Sequence, residues 1–253
     1  METSLRGLIL RMARENPRWG YVRIRGELLK VGYRVSATAI RNLPRRERVG
    51  PTSTRSGLGW KAFLRARASA IVVSDFFAVD TVFLRRLYVL LYMEFASRRI
   101  VWFAVTDKPD AAWVTQQSRN LAWQLGGSPI RFVVHDHDAK FAGSADAVFR
   151  AEGMRVIRTP IAAPRANAHM ERQIGSGRRE CLDWMLIIGR GHLKWVMREW
   201  IAHYNESRPH PSLGLRTPIA RSDPVTGGTT VRCRMRLGGL LREYSCAPAL
   251  AAA

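Results

Sequence analysis

IVVSDFFAVDTVFLRRLYVLLYMEFASRRIVWFAVT, residues 71–106, contains three apolar runs separated by short polar segments. Each run has the length and the β-branched and aromatic content of a buried strand, and the ASRR segment is short enough for a hairpin. Farther along, IRFVVHD (130–136) and MRVIRTP (154–160) predict a fourth and a fifth strand. The stretch therefore predicts three neighbouring strands at the centre of a larger sheet.

Helical patterns separate and follow the last two strands. They lie at 109–125, 144–152 and 190–204, and a further long helix follows the loop in APRANAHM (163–170). Three strands followed by alternating helices and strands predict an α/β fold, a mixed sheet of about five strands flanked by helices. The last 30 residues or so show no clear periodicity, and we predict a C-terminal tail at 221–253.

The charge of the chain is its main compositional feature. Among 253 residues there are 41 Lys and Arg against 20 Asp and Glu, which gives a net charge of +21. Such an excess favours a polyanionic partner, most often nucleic acid. The alternative is a protein that is basic throughout without a specific reason.

Other function classes find little support in the sequence. The three cysteines are far apart and form no CxxC pair, so neither a disulfide framework nor a zinc finger is indicated. The most apolar region, 87–105, is interrupted by Glu94, Arg98 and Arg99, so it is no membrane span. We expect a soluble, cytoplasmic protein associated with the nucleoid.

The N-terminal quarter predicts a small helical module. Residues 4–16 have helical spacing, and Leu28, Leu29 and Val31 can form one apolar face of a second helix. Gly32 breaks the chain, and Ser36 suits the N-cap of a third helix. This pattern predicts a helix-turn-helix region at 1–48 and a linker at 49–62. A basic helical hairpin that merely packs is the alternative.

About half of the net charge lies in this quarter. Residues 1–61 contain 14 Lys and Arg and 4 Asp and Glu, hence 14 − 4 = +10. Arg41 and Arg45 lie on or just after the third helix, where phosphate contacts are made in such modules.

Three carboxylates stand at the ends of apolar segments. Asp75 lies within the first strand, Asp136 ends the fourth, and Glu171 begins the long helix. A carboxylate in apolar sequence is costly unless it is paired or metal-bound. Acids from different elements can converge on divalent ions for phosphodiester chemistry, although many α/β domains carry acids at strand ends.

Four segments together resemble a known family: DFFAVDTVFLRRLYVLLYMEFASRRIVWFAVT, HDHDAKF, TPIAAPRANAHMERQIGSGRREC and HYNESRPHPSLG. In their order and spacing they resemble integrase-like DDE transposases of bacterial insertion sequences, in the retroviral integrase superfamily. The resemblance implies a ribonuclease-H-like catalytic core, which we place at 63–220. The N-terminal region is similar to the helix-turn-helix that often precedes such a core.

The resemblance assigns an Asp, Asp, Glu triad. The family's spacing is matched by the 34 residues between Asp136 and Glu171 (171 − 136 − 1 = 34). Either Asp75 or Asp80 can be the first acid, and they have opposite parity on an extended strand. We favour Asp75 because it lies deeper in the apolar run. By resemblance these acids are catalytic and bind two ions of Mg²⁺ or Mn²⁺ per active site.

The same comparison suggests residues that contact DNA. Arg178 lies two helical turns after Glu171, on the same face of the helix, where it would hold DNA near the metals. Candidates for phosphate contact are Lys140, Arg165, Arg179 and Arg208, and for each the alternative is a solvated surface charge. For Asn205 and His210 we favour a bracing role over DNA contact.

The resemblance implies metal-dependent DNA strand cleavage and strand transfer during integration or transposition. Implied partners are transposon ends, target DNA, further copies of the chain on DNA, and a separate upstream helix-turn-helix product. Two alternatives stay open: a degenerate or domesticated DNA-binding protein without catalysis, and a ribonuclease-H-like nuclease without strand transfer. Gly175 and Gly177 depart from a strong helix, since each costs about 1 kcal/mol relative to Ala.

Overall fold

The computed structural model describes residues 3–16, 19–36, 39–40, 64, 66–136, 138, 140–141, 143–159, 168–220 and 231–246. Its packing divides the chain into a core unit, residues 55–201, and a terminal unit, residues 1–54 with 202–253. The helices and strands of the described residues are α1 (Thr3–Glu15), α2 (Tyr21–Lys30), β1 (Ile71–Asp80), β2 (Arg86–Glu94), β3 (Ile100–Thr106), α3 (Ala111–Gln124), β4 (Phe132–His135), α4 (Gly143–Ala151), β5 (Arg155–Arg158), α5 (Ala168–Glu180), α6 (Arg190–Glu206), β6 (Val231–Arg236) and β7 (Leu241–Cys246).

The core unit contains a five-stranded mixed sheet. Its strand order is β3-β2-β1-β4-β5. The first three strands are antiparallel neighbours, whereas β4 is parallel to β1 and β5 is parallel to β4. The prediction of a ribonuclease-H-like mixed sheet of about five strands, flanked by helices, is confirmed.

β1 lies at the middle of this sheet, so its side chains are covered from both faces. On one face Val72, Tyr92 and Val133 pack in a buried cluster with Val114 of α3 and Phe149 of α4. This cover explains why the strand is a nearly continuous apolar run, as strands that are buried on both faces are.

The opposite face of β1 meets α5. Arg178 of α5 donates a hydrogen bond from Nη2 to the carbonyl oxygen of Ala78 at 2.6 Å. Its guanidinium carbon lies 5.7 Å from the ring centroid of Phe77. The side chain of Arg178 thus ties the C-terminal half of α5 to the outer half of β1.

Gly177 permits a close approach between α5 and α6. A Cβ atom at position 177 would lie 3.1, 3.2 and 3.3 Å from three ring carbons of Trp200. Trp200 is only 1% exposed, and its Nε1 donates to Glu180 Oε2 at 3.3 Å. A Cβ at Gly175 would meet only the end of the exposed Arg179 side chain, at 3.0 Å from Nη1. The two glycines therefore weaken the helix for different reasons, and only Gly177 is required by packing.

The terminal unit contains the N-terminal helices and a C-terminal hairpin. Ile9 and Met12 of α1 and Ile24 and Leu28 of α2 form a buried cluster with Tyr244 of β7. The predicted helical start of the chain is confirmed. The predicted recognition helix continues beyond Ile40, outside the described residues, so the helix-turn-helix assignment at 1–48 stays a prediction.

The hairpin of β6 and β7 lies where the sequence predicts only an unpatterned tail. Most of β6 is exposed, including both Arg232 and Cys233, which point to opposite faces. In β7, by contrast, Glu243 and Tyr244 are both buried. β6 (VRCRMR) does alternate between apolar and basic residues, a strand pattern that the prediction of a tail overlooked, whereas β7 (LREYSC) does not alternate strictly. The predicted boundaries at 48, 62 and 220 stay predictions.

A buried polar network connects three segments of the terminal unit. Arg23 Nη2 lies 2.8 Å from His203 Nε2, and His203 Nδ1 lies 3.0 Å from Glu243 Oε1. Because Arg23 can only donate, the imidazole accepts at Nε2 and donates from Nδ1 to Glu243. Burial raises the pKa of Glu243, but the hydrogen bonds and charges of His203 and Arg236 outweigh it and lower that pKa to about 2. The carboxylate is therefore held ionised inside the unit.

We expect Gly177→Ala and Gly175→Ala to change stability in opposite directions. Both gain about 1 kcal/mol of helix propensity. At position 177 the new methyl group must displace a fully packed indole, which typically costs 1–3 kcal/mol, so the free energy of unfolding should fall. At position 175 the arginine end can move away, and the free energy of unfolding should rise.

Urea unfolding followed by circular dichroism measures both changes, with Gly175→Ala as the matched control. Equal stabilisation by the two substitutions would show that the Trp200 contact does not constrain α5.

Candidate active site

One of the predicted acids lies on β1, and another directly follows β4, the parallel neighbour of β1. Val73 of β1 pairs with Val134 of β4, so Asp75 and Asp136, each two residues farther on, are at the same level. Residues at equivalent positions of adjacent parallel strands point to the same face of the sheet. The register therefore brings the two carboxylates together on the face that α5 covers.

The surroundings of Asp75 disfavour the ionised form of its carboxyl group. Its pKa is raised to about 7, first by burial, then by the negative charge of Asp136, with smaller contributions from Glu171 and Asp138. The hydrogen bond from the Phe76 backbone N–H to Asp75 Oδ1, at 2.8 Å, acts in the opposite direction. Three neighbouring carboxylates thus add to burial in raising the pKa of Asp75.

The turn after β4 orients the carboxylate of Asp136 and provides Asp138 with a cationic partner. Asp136 Oδ1 accepts the backbone N–H of Asp138 at 3.0 Å. Asp138 in turn accepts the backbone N–H of Lys140 at 2.9 Å and pairs with its ammonium at 2.6 Å. Asp138 therefore has a charged partner of its own, which leaves Asp136 as the acid that faces Asp75.

Glu171 lies in the first turn of α5 and is exposed. A carboxylate in the first helical turn is favoured by the helix dipole. After burial and the charge of Asp136, the negative charge of Glu171 is a smaller cause that raises the pKa of Asp75. Within the residues that the structure describes, however, no three His, Cys, Asp or Glu side chains are close enough to hold a metal ion.

Asp80 has a different environment. It ends β1, half exposed, and pairs with Arg86 at 2.9 Å. Its pKa is lowered by the hydrogen bond and charge of Arg86, and by the charge of Arg178. Asp75, and not Asp80, is the acid that Asp136 and Glu171 influence, which favours it as the first member of the triad.

The predicted basic residues have distinct surroundings. Lys140 pairs with Asp138, and its ammonium lies 5.5 Å from the Phe76 ring centroid, near the acidic group. Arg178 donates a hydrogen bond to the carbonyl oxygen of Ala78, while its neighbour Arg179 is exposed. Arg41, Arg45 and Arg165 fall outside the described residues.

Arg208 belongs to the terminal unit and lies in a bracing cluster there. Its guanidinium lies 5.8 Å from the Tyr204 ring centroid and 3.5 Å, at Nη1, from His210 Nδ1. His210 is buried and donates from Nε2 to the carbonyl oxygen of Tyr204 at 3.1 Å. Asn205 is also buried, and its carbonyl accepts the N–H of Ile219. The burial of Asn205 and His210 agrees with the bracing role that we favour for them.

Sequence reasoning missed a buried charge cluster behind Asp136. His135 is 1% exposed; its Nε2 lies 3.0 Å from Asp146 and its Nδ1 lies 2.6 Å from the carbonyl oxygen of Asp136. Asp146 also pairs with Arg158 at 3.0 Å and Arg150 at 3.4 Å. The cluster fixes the end of β4. An isolated Asp at an inward position of a short helix was the only signal for it in the sequence.

The acidic group fits a divalent metal by its chemistry. Carboxylate oxygens are the hard ligands that Mg²⁺ and Mn²⁺ prefer, and a cation would relieve the repulsion that raises the pKa of Asp75. His135, which would suit other metals, is occupied by Asp146 and the Asp136 backbone.

Comparisons with known proteins agree with the predicted family resemblance. Residues 152–218, which include Glu171, match the family model described as Integrase core domain. An insertion element IS476 uncharacterized 39.2 kDa protein from Xanthomonas euvesicatoria is 30% identical over 154 residues, covering 58% of this chain. The chain spans 44% of the length of that relative. The resemblance to integrase-type cores is thus confirmed.

Two solved catalytic cores are similar to part of the chain. The catalytic domain of Mos1 mariner transposase has a TM-score of 0.46 at 16% identity, covering 56% of this chain and 77% of that chain. The catalytic core domain of BIV integrase has a TM-score of 0.43 at 13% identity, covering 59% of this chain and 91% of that chain.

No helix within the described ranges has the length and the apolar content that a membrane span requires.

We expect Asp75→Asn to stabilise the metal-free protein, and more so as the pH rises. The folded-state pKa of about 7 lies above the ordinary value, so the unfolded chain ionises first as the pH rises from about 4. Wild-type stability should therefore fall across this window and level off above pH 7. The amide avoids this loss, which we expect to reach a few kcal/mol at most near pH 8.

Thermal unfolding in EDTA at several pH values measures the difference. Asp80→Asn is the matched control, because the Asp80 carboxylate is exposed and paired with Arg86, and it should show no pH-dependent gain. If the Asp75→Asn protein were no more stable than wild type at pH 8, the raised pKa of Asp75 would be contradicted.

Proposed function

We propose that this chain is the catalytic part of a DNA transposase or integrase that cleaves DNA strands and joins them to a target. The observation that carries the proposal is the coupling of Asp75 with Asp136 and Glu171, acids from two adjacent strands and one helix. The integrase-core match over residues 152–218 supports it independently of the electrostatics. Asp75 is assigned as the first acid and Asp80 is left outside the triad.

In this proposal the three carboxylates hold the metal ions and the sheet sets their positions. Two Mg²⁺ or Mn²⁺ ions bound there would activate the attacking oxygen and stabilise the leaving oxygen of an in-line phosphoryl transfer. Asp75 lies on a paired strand, and Asp136 lies in the turn directly after one. Both would therefore supply carboxylate oxygens at fixed positions. Glu171, exposed on its helix, is free to adjust its side chain toward the other two.

Basic residues around the acids position the DNA backbone. Lys140 lies next to the acidic group, and Arg179 is exposed on the same helix as Glu171; both would contact phosphates. Arg178 acts first as a positioning residue, because its bond to Ala78 fixes the helix that carries Glu171. Arg165, Arg41, Arg45 and Arg208 are proposed as further phosphate contacts.

The net charge of +21 supports DNA as the partner. We propose that the DNA substrates are the ends of the element that encodes the chain and a target duplex, and that further copies of the chain assemble on them. Water and a DNA 3′-hydroxyl would serve as successive nucleophiles, so no covalent bond between protein and DNA is needed.

We expect Asp136→Asn and Glu171→Gln each to reduce nicking and joining by at least about 100-fold, because removal of supporting groups around metal ligands already costs 10–100-fold. The assay uses labelled duplexes that carry the element's ends, with Mg²⁺, and resolves nicked from joined products. Electrophoretic mobility shifts in EDTA should show DNA binding within about 2-fold of wild type, since uncharged substitutes leave the basic surface intact.

Asp80→Asn is the matched control and should retain both activities. Binding without any nicking by the wild-type chain would contradict the proposal in favour of a DNA-binding protein. Nicking without joining would contradict strand transfer and indicate a nuclease.

A further inference from the structure

The strand β6 of the terminal unit is exposed along its length. Four consecutive residues, 232–235, are exposed, whereas Glu243 and Tyr244 of its partner β7 are buried. In the two-stranded sheet of the described residues, β6 pairs with β7 on one side and carries no strand on the other. β6 therefore presents both faces and one edge to solvent.

Two arginines lie on the same face of β6. Alternate residues of a strand point the same way, so Arg232 and Arg234 share one face and are about 7 Å apart along the strand. Cys233 and Met235 lie on the opposite face. We refer to the side that carries Arg232 and Arg234 as the arginine face of β6.

The acid that lies opposite Arg234 in the ladder is Glu243, and it is already paired. Its Oε1 lies 2.8 Å from Arg236 Nε and 3.0 Å from His203 Nδ1, and its side chain is only 8% exposed. Arg232, whose neighbour across the ladder is Ser245, has no acid opposite it. Neither Arg232 nor Arg234 belongs to an ion pair among the described residues. The arginine face thus carries two exposed cations without an anionic partner.

The rest of the terminal unit has few acids to offer them. Its described residues contain 13 Lys and Arg against 4 Asp and Glu, hence 13 − 4 = +9. The fourth acid, Glu206, is exposed in the last turn of α6. The other three have cationic partners: Glu15 with Arg242 at 3.1 Å, Glu27 with Lys30 at 2.6 Å, and Glu243 with Arg236. Unpaired arginines in such a unit produce a positive potential that attracts polyanions.

We propose that the arginine face of β6 binds the phosphate backbone of duplex DNA. A guanidinium group binds a phosphate through two parallel N–H donors, and both side chains can do so without leaving a packed position. Phosphate contacts fix the position of a protein on DNA and carry no sequence information. β6 would thus hold DNA on a different unit from the one that carries the catalytic acids. The inference rests on the proposed function only in taking duplex DNA as the ligand.

Charged residues on an edge strand have a simpler role in many proteins, since they prevent pairing with the edge of another sheet. The two roles differ in their response to salt. Each phosphate that a protein neutralises contributes about −0.9 to the slope of log K against the logarithm of the salt concentration. Edge protection contributes nothing to this slope, so the slope separates the two roles.

Fluorescence anisotropy of the full chain with a labelled duplex, in EDTA and from about 0.05 to 0.2 M NaCl, tests the proposal. For Arg232→Gln/Arg234→Gln we expect a slope that is shallower by about 1.8, because two phosphate contacts are lost. The loss of affinity relative to wild type should therefore shrink by about 12-fold across this salt range. It should be equal for the element's ends and for an unrelated duplex of the same length.

Two further variants are the matched controls. Arg131→Gln/Arg155→Gln removes the same charge from the core unit, where Arg131 precedes β4 and Arg155 begins β5. Both arginines are exposed and lie at the opposite end of these strands from Asp136, so this variant should keep the wild-type slope. Arg232→Lys/Arg234→Lys keeps both charges and should restore most of the slope that the glutamines remove.

The proposal would be overturned if the Arg232→Gln/Arg234→Gln protein had the wild-type slope, or if the control at 131 and 155 lost as much. A loss confined to the element's ends would overturn it too, because that would be sequence readout. A nicking assay with Mg²⁺ separates this inference from the catalytic one. Wild-type nicking together with an unchanged slope in the glutamine variant overturns the β6 site alone, whereas a shallower slope without any wild-type nicking overturns catalysis alone.

Discussion

Val73 of β1 lies beside Val134 of β4 in a parallel ladder, and the candidate site depends on this register. A slip by one residue would turn Asp136 to the other face of the sheet, away from Asp75 and α5. β4 has only four residues, so its ladder alone gives little resistance to such a slip. The buried His135–Asp146 pair, fixed at the end of the strand, supplies the missing specificity. The site is therefore held from behind by a polar cluster that takes no part in the chemistry.

The helix that carries Glu171 is positioned by contacts of a second kind. Arg178 fastens it to β1, and the missing side chain of Gly177 lets Trp200 lie directly against it. Both contacts are within three turns of Glu171. A helix with two glycines is intrinsically weak, so its place on the sheet is set by packing and one charged hydrogen bond rather than by its own propensity.

The sheet and the helices around it could be predicted from the sequence, whereas the C-terminal hairpin and the contacts between distant elements could not. The first three strands are long apolar runs in a sheet whose central strand is buried on both faces. Such a hydrophobic pattern is the primary signal of secondary structure in a sequence. Asp75, Asp136 and Glu171 were predicted because a resemblance added spacing to position; apolar patterning alone does not select them. β7 was missed because its sequence does not alternate strictly, and β6 was missed although it alternates between apolar and basic residues.

The network of Arg23, His203 and Glu243 was missed for a related reason. Its members are 180 and 40 residues apart in sequence, and no local pattern relates residues at such separations. The same is true of the Trp200 ring against Gly177, where a departure from helix propensity was the only trace of a tertiary contact. Sequence patterns report burial along one element, whereas these contacts depend on how elements meet.

The terminal unit is assembled from the two ends of the chain, and this has a consequence for its synthesis. Tyr244 of the last strand completes the cluster formed by α1 and α2, and Glu243 completes the network of Arg23 and His203. On the ribosome α1 and α2 are made before β7, so Tyr244 cannot cover their apolar faces until β7 has been made. Residues 55–201, by contrast, contain all of their sheet and can fold while the chain is still being extended. The order in which these elements fold therefore differs from the order in which they are synthesised.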